Sequence, residues 1–307
     1  MILKRTVLIL GAGASVDYGF PLGRTLITQI CARLSQKTTT RDLLIDCKIA
    51  ETHIDQFQRQ LAASNLPSID AFLENRPEFE KVGKAAIAAI LIPCELEQKL
   101  KRKEGQYLWY EHLHSKLIQR KNEFTRNKLS VVTFNYDRSF EAALFLAVQN
   151  AYGLDEAECR KYVEGIPIIH VHGKLGDPFW LTGHGRFYTP DVTPQVILDT
   201  VKSIKVVHEG EHDSQDFQDA REEILNAEIV CCLGFGYHPD NISRLQLSRL
   251  LNTKRVFFSA FGFTQKEIGM IQLRLFRDGY QGTFAPQFGG GTQGALTFLR
   301  ETAVLEQ

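Results

Sequence analysis

The stretch VLILGAGASVDYGFPLGR, residues 7–24, decides the fold. An apolar run enters a glycine turn, and Ser15, Gly19-Phe20-Pro21 and Arg24 follow. Residues 6–10 (TVLIL) read as a buried strand, and a helix is expected from about Leu22 to Leu34. A glycine turn between a strand and a helix exposes backbone N–H groups that suit a pyrophosphate. The dinucleotide fingerprint G-x-G-x-x-G/A is met only in part. Gly11 and Gly13 fit, but Val16 takes the third place and no carboxylate falls around Cys31–Leu34, where a ribose-binding acid belongs. A hydride-transfer enzyme is therefore poorly supported.

The same alternation returns at Leu129. SVVTF (130–134) reads as a strand, with a helix from Arg138 to about Tyr152. IPIIHV (166–171) is a further strand; EIVCCLGF (228–235) is another, with a helix from Asn241 to Leu251; RVFFSAF (255–261) ends the series. Short apolar β-rich runs alternating with helices predict an α/β, Rossmann-like, doubly wound parallel sheet. Ligands of such sheets sit beyond the carboxyl ends of the strands. The first four strands run into GAGAS, NYD, HG and GFGYHPDN, which places all four signatures on one rim.

Residues 41–128 have another character. They are rich in Gln, Glu, Lys, Leu and Ala, with Ile54, Phe57 and Leu61 at helical spacing and breaks near Pro67, Pro77 and Pro93. The expectation is one domain over 1–307, with a core of 1–40 and 129–307 and a helical insertion at 41–128. The segment at about 174–226 is glycine- and proline-rich, then acidic and helical, and is expected to cover the rim.

Composition narrows the class. Hydrophobic content is 44% and charged content 23%, with 36 basic and 36 acidic residues. That balance gives no electrostatic case for a nucleic-acid or membrane partner. Six cysteines without a C-x-x-C read as reduced, buried thiols of a cytoplasmic protein. Lys4-Arg5 and the apolar run after it imitate a secretory signal, but Val7–Leu10 is too short for its apolar region. No stretch reaches the apolar length of a membrane span. The run Lys99-Leu100-Lys101-Arg102-Lys103 reads as a solvated helix end. GGGTQG (289–294) could cradle a phosphate but lacks the P-loop lysine, and reads better as a flexible loop.

The chemistry-bearing residues stand at the strand ends. His172 is the natural base, since imidazole titrates near neutrality. His170 lies two residues earlier, on the same face of a strand. Asn135 carries both a donor and an acceptor without charge. Asp137 reads equally as a cap of the following helix. Gly234 and Gly236 allow close backbone approach to a ligand. Asp240 and Asn241 read as contacts on the adenosine side or as caps, and Arg24 as a phosphate ligand or a solvated helix residue.

In order and spacing, GAGASVDYGFPLGR resembles the sirtuin signature GAGIS-x-x-SGIPDFR, with Gly11, Ala12, Gly13, Ser15, Gly19, Pro21 and Arg24 matching. NYD at 135–137, after Thr133, resembles the sirtuin T-Q-N-x-D. His172-Gly173 resembles the family's H-G, and GFGYHPDN (234–241) resembles the later glycine turn of bacterial sirtuin-like proteins. The blocks follow the family's order across residues 7–241. The resemblance implies a sirtuin-like fold and NAD+ as substrate, cleaved at the nicotinamide–ribose bond through an oxocarbenium-like transition state. It implies that His172 acts on a ribose hydroxyl, that Asn135 orients the ribose or the attacking water, and that Asp137 lines the nicotinamide pocket. The implied NAD+ contacts are Gly11, Ala12, Gly13, Ser15, Phe20, Pro21 and Arg24 in the first block and Thr133, Asn135 and Asp137 in the second. Gly234, Gly236, Asp240 and Asn241 complete them.

The chain also departs from the family. It has no paired cysteines, so no zinc module and no metal are expected. Leu22-Gly23 stand where the family has Asp-Phe, whose phenylalanine shields the reactive face of the sugar. Glycine cannot shield it, which favours hydrolysis over transfer. The insertion looks like the helical elaboration of bacterial sirtuin-like effectors, several of them anti-phage proteins that deplete NAD+. The expectation is an NAD+ glycohydrolase releasing nicotinamide and ADP-ribose, with a separate sensor protein or a homo-oligomer as partner. The alternatives are an NAD+-dependent deacylase or ADP-ribosyltransferase, and a non-catalytic subunit that senses NAD+ or ADP-ribose.

Overall fold

Strands covered on both faces must be mostly apolar, and the inner strands here are, with TVLIL at Thr6–Leu10 and IVCCL at Ile229–Leu233. The computed structural model describes every residue except Gln36, Arg102, Lys103, His184, 207–213 and Gln307, with Thr182 described by its backbone alone. Its sheet comprises β1 (Thr6–Leu10), β2 (Leu129–Thr133), β3 (Ile168–His170), β4 (Ile229–Leu233), β5 (Arg255–Phe258) and β6 (Gln287–Phe288). The order is β3-β2-β1-β4-β5-β6, and every neighbouring pair is parallel. That is the strand order of dinucleotide-binding sheets, so the fold is α/β and Rossmann-like. The apolar run that imitates a secretory signal is the inner strand β1, with Thr6 opposite both Leu129 and Ile229.

The helices fall on both faces. Before β2 come α1 (Gly23–Leu34), α2 (Thr39–Asp46), α3 (Glu51–Ala63), α4 (Ile69–Asn75), α5 (Glu80–Leu91) and α6 (Trp109–Leu117). After it come α7 (Ser139–Tyr152), α8 (Glu156–Glu164), α9 (Phe179–Thr182), α10 (Pro194–Val201) and α11 (Gln215–Asn226). The rest are α12 (Pro239–Arg244), α13 (Leu247–Leu250), α14 (Gln265–Arg277) and α15 (Ala295–Thr302). Leu8, Leu10, Cys231 and Leu233 share one apolar core with α1, α5, α6 and α7. Val7, Ile9, Val230 and Cys232 point the other way, into a core with Phe217 of α11 and Ile271 of α14. This alternation is the period of two that a strand imposes.

The helical insertion is not a separate body. Ile54, Phe57 and Leu61 are buried in the same apolar core as the sheet residues Leu8 and Leu10. Within the insertion α4 seats closely on α5, because a Cβ at Gly83 would stand 2.4 Å from Leu73 Cδ2. The described part of 174–226 follows the insertion as well, with α10 packed on α5. No helix among the described residues is long and apolar enough to cross a membrane. All six cysteines are free thiols.

Local differences from the sequence reading have local causes. The helix expected at 241–251 is broken into α12 and α13, because Gln246 takes a left-handed φ of +51° between them. A 3-10 helix at Ala12–Tyr18 precedes α1 and ends at Gly19, whose φ is +95°. β6 is only two residues long, too short to show a period. The 289–294 loop is built into the fold, since a Cβ at Gly291 would lie 2.3 Å from Phe263 O. In the basic run, Lys101 pairs with Glu97 at 2.5 Å, while Arg102 and Lys103 lie outside the described residues.

Candidate functional site

The strand order reverses between β1 and β4, and the turns after these two strands touch. Gly11 N–H donates to Leu233 O and Gly13 N–H to Gly234 O, each at 3.0 Å. A Cβ on Gly13 would lie 2.7 Å from Gly234 Cα. One on Gly234, at φ +58°, would lie 2.1 Å from Ala14 N. The close approach that Gly13 and Gly234 permit is therefore between two backbones. It also consumes donors: Ala14 N–H goes to Gly11 O at 2.9 Å, so the N–H groups of 11, 13 and 14 are all committed. Ala12 N–H forms no hydrogen bond among the described residues. Gly236 is exposed, with no atom near its missing Cβ.

The turn after β2 is tied to the turn after β1 through Asn135. Its Nδ2 donates to Gly11 O at 3.0 Å and to Ser15 Oγ at 3.1 Å. A carbonyl oxygen only accepts, so the amide orientation follows from Gly11. Asn135 N–H in turn donates to Thr133 Oγ1 at 3.1 Å. The side-chain Oδ1 forms no bond among the described residues, although Asn135 is only 8% exposed.

Asp137 stands at the start of α7 and lines the cavity. Its Oδ1 accepts Ser139 N–H at 3.0 Å, a helix-capping bond, and also the Ser139 hydroxyl. The residue lines the same cavity as Asn135. Burial pushes its carboxyl above the ordinary range, opposed by hydrogen bonds from Ser139 and Ser15. With the Ser139 proton directed at Asp137, the Tyr110 hydroxyl donates to Ser139 Oγ at 2.7 Å. Tyr110 belongs to the insertion, and its ring stacks on Tyr18 at 3.8 Å. Its neighbour Trp109 donates from Nε1 to Ala14 O at 2.8 Å. The start of α6 thus clamps the turn after β1 from outside the sheet.

The two histidines part company. His170 is occupied at both ring nitrogens, Nδ1 with Asn135 O at 2.9 Å and Nε2 with Glu141 Oε1 at 2.8 Å. Burial pushes the Glu141 carboxyl up, but the charge and hydrogen bond of His170 hold it below its ordinary range. No lone pair of His170 is left for substrate. His172 is 4% exposed, and its buried Nδ1 has no partner among the described residues. Burial pulls its imidazole below the ordinary range, so the ring is neutral at pH 7, the form a base requires. The ring packs against Phe134 at 5.6 Å and Tyr136 at 6.4 Å, the residues on either side of Asn135.

The cavity has a volume of about 70 Å³. At roughly 10–15 Å³ for each water, that suits one ring with its amide and not a whole dinucleotide. Ala12 and Ser15 come from the turn after β1, and Phe20, Pro21 and Gly23 from the approach to α1. Phe134, Asn135, Tyr136 and Asp137 form the β2 side. Ser68, Ile69 and Asp70, at the start of α4, close it from the insertion. The Asp70 carboxyl accepts the Tyr136 hydroxyl. Gly11, Gly13, Arg24, Thr133, His172, Gly234, Gly236, Asp240 and Asn241 lie outside this lining. Arg24 is exposed near the start of α1, Asp240 pairs with His238 at 3.3 Å, and Asn241 is half-buried in α12. The insertion residues Ser68, Asp70 and Tyr110 carry no motif, and sequence reasoning missed them.

A larger cleft, about 220 Å³, lies between α7, α8 and residues 178–189. Its arginines, Arg138 and Arg186, both grip the buried Glu95, Arg138 through Nε at 3.1 Å and NH2 at 2.8 Å. Their remaining N–H groups go to the carbonyls of Leu175, Asp177, Arg186, Phe187 and Thr189. No guanidinium donor is free for a ligand, and none of the four rim signatures reaches this cleft beyond Arg138. Losing Glu95 would strand the buried Arg138 and the half-buried Arg186, at a cost of about 3–5 kcal/mol. The network pins the 175–189 segment beside Asp137 and is structural. The smaller cavity at the strand ends is the candidate site. No family model matches the chain, and no curated protein matches it.

Proposed function

We propose that the chain is an NAD+ glycohydrolase: it binds NAD+ across the carboxyl ends of β1, β2 and β4 and releases nicotinamide and ADP-ribose. The observation that carries this reading is Asn135 bonded to Gly11 O and Ser15 Oγ beside the Asp137 carboxyl. It joins the GAGAS and NYD signatures in one cavity of nicotinamide size. The resemblance of these signatures to those of sirtuins supports NAD+ as the substrate.

In this reading the cavity takes the nicotinamide ring, with its amide at Asp137. Asn135 Oδ1 and Ala12 N–H hold the ribose and its phosphate side, and the rest of the dinucleotide follows the open rim. Water adds at the ribose carbon as the glycosidic bond breaks, and nicotinamide leaves as a neutral base. His172, neutral and buried, takes up the proton released. Gly23 lies at the cavity and leaves the sugar face open to water. On the resemblance alone we extend the proposal to an anti-phage effector that depletes NAD+ together with a sensor protein or further copies of itself.

The test is product analysis of purified protein with NAD+, with and without an acetylated peptide, beside Asn135→Ala and His172→Ala. Nicotinamide and ADP-ribose formed without peptide, and lost in both variants, are the expected result. Turnover only with peptide would replace hydrolase by deacylase. Saturable NAD+ binding without turnover would favour a sensing subunit.

A further inference from the structure

We propose that Tyr110, in the first turn of α6, is a positioning residue for Asp137: through Ser139 it fixes the carboxylate so that an acceptor place is kept for the amide N–H of a carboxamide ligand. Its part in substrate recognition rests on the hydrolase reading, while the relay itself can be measured without a ligand.

Asp137 is buried and lines the cavity. Its Oδ1 accepts both Ser139 N–H, at 3.0 Å, and the Ser139 hydroxyl. Ser15 donates to the same carboxyl. A carboxylate offers about four acceptor places and, when ionised, no donor. Room is therefore left for one further N–H or O–H, and a ligand in the cavity must bring it. The amide of nicotinamide carries such an N–H.

A serine hydroxyl has a single hydrogen, and what its oxygen accepts decides where that hydrogen goes. Each serine on Asp137 has a donor behind it. Asn135 Nδ2 donates to Ser15 Oγ at 3.1 Å, and the Tyr110 hydroxyl bonds Ser139 Oγ at 2.7 Å. Each serine then has its own hydrogen for the carboxylate, and bonds in such a chain strengthen one another. Asn135 belongs to the rim signatures. Tyr110 comes from the insertion, 29 positions before Ser139.

Tyr110 is held so that its hydroxyl stays in place. Its ring stacks on Tyr18 at 3.8 Å and meets Phe140 edge-on at 5.7 Å. Its backbone N–H donates to the Tyr18 hydroxyl at 2.8 Å. Glu111 closes the start of α6 by accepting Leu108 N–H at 2.9 Å. Burial holds the Tyr110 phenol well above its ordinary range, so it keeps the proton it donates.

The experiment titrates the parent, Tyr110→Phe, Ser139→Ala and the double variant with nicotinamide and with acetylpyridine, its methyl ketone analogue, by ligand-observed NMR. The two probes share ring and carbonyl, but the ketone has no N–H for Asp137. Tyr110→Phe keeps the ring and its stacking and removes only the hydroxyl. It is expected to weaken nicotinamide about three- to tenfold, the contribution of one hydrogen bond, and to leave the ketone within about twofold. In the Ser139→Ala background it should add nothing, because the relay is already cut. Loss of structure at the cavity would weaken both probes alike, and that result overturns the proposal. Parental nicotinamide affinity in Tyr110→Phe overturns it too, and so does an undiminished loss in the Ser139→Ala background. A parent that takes up neither probe removes the hydrolase reading, and the relay is then read from melting temperatures. Changes in Tyr110→Phe and Asp137→Asn that do not add keep the relay, and additive changes overturn it. Should Tyr110→Phe fail to fold, Ser139→Ala carries the same comparison of probes, and equal weakening there overturns the proposal.

Discussion

Gly234→Ala is expected to be among the most destabilising single-methyl additions in this chain. The new Cβ would stand 2.1 Å from Ala14 N and 2.3 Å from Gly13 C, both backbone atoms that cannot rotate away. Position 234 also sits at φ +58°, where an L side chain costs about 1–2 kcal/mol. Relief requires the turns after β1 and β4 to part, which gives up Gly13 N–H to Gly234 O and weakens Gly11 N–H to Leu233 O. Two such bonds contribute about 1–3 kcal/mol together. The sum is about 2–5 kcal/mol, or a melting temperature lowered by roughly 4–10 °C at about 2 °C per kcal/mol. Gly236→Ala, two residues on, is the control. It has no neighbour within 4 Å of the new Cβ, no positive φ, and an expected change within about 0.5 kcal/mol. Thermal unfolding of both variants beside the parent is the assay. If Gly234→Ala melts within a degree of Gly236→Ala, the two turns do not meet as described, and the crevice at the strand reversal is open where we find it closed.

Two further outcomes follow from the cavity. A Cβ at Gly23 meets only Pro67 O, at 3.7 Å, so Gly23→Phe is tolerated at its base. It should lower NAD+ hydrolysis while leaving saturable NAD+ binding, and an unchanged rate would refute the open-face argument. Burial holds the Asp137 carboxyl above its ordinary range despite the Ser139 and Ser15 bonds. The folded chain therefore binds that proton more tightly than the unfolded chain, and this contribution to stability falls as pH rises through the interval. Asp137→Asn should melt above the parent at neutral pH, with the gain shrinking as the medium is acidified, and should lose turnover. A variant that melts below the parent at neutral pH would refute the cost assigned to the buried carboxyl.

What the sequence by itself determined is the sheet and its rim. Burial on both faces leaves continuous apolar runs such as TVLIL and EIVCCL, and a parallel arrangement puts GAGAS, NYD, HG and GFGYHPDN at the same ends of their strands. These are local signals, written in residues close along the chain. Only the tertiary structure decided which side chains meet. Ser68 and Asp70 reach the cavity, and Tyr110 reaches Ser139 beside it, from a part of the chain with no motif, because Tyr136 lies 66 positions from Asp70 and Ser139 29 positions from Tyr110. His170 ends β3 and His172 lies two residues on, in the turn after it, yet Glu141 and Asn135 occupy the first and leave Nδ1 of the second without a partner among the described residues. Gly234 looks like a residue made for a ligand until Gly13 and Ala14 are found in its place. A side chain's identity limits the bonds it can make, but which bond forms depends on groups that only the folded chain brings within 3 Å.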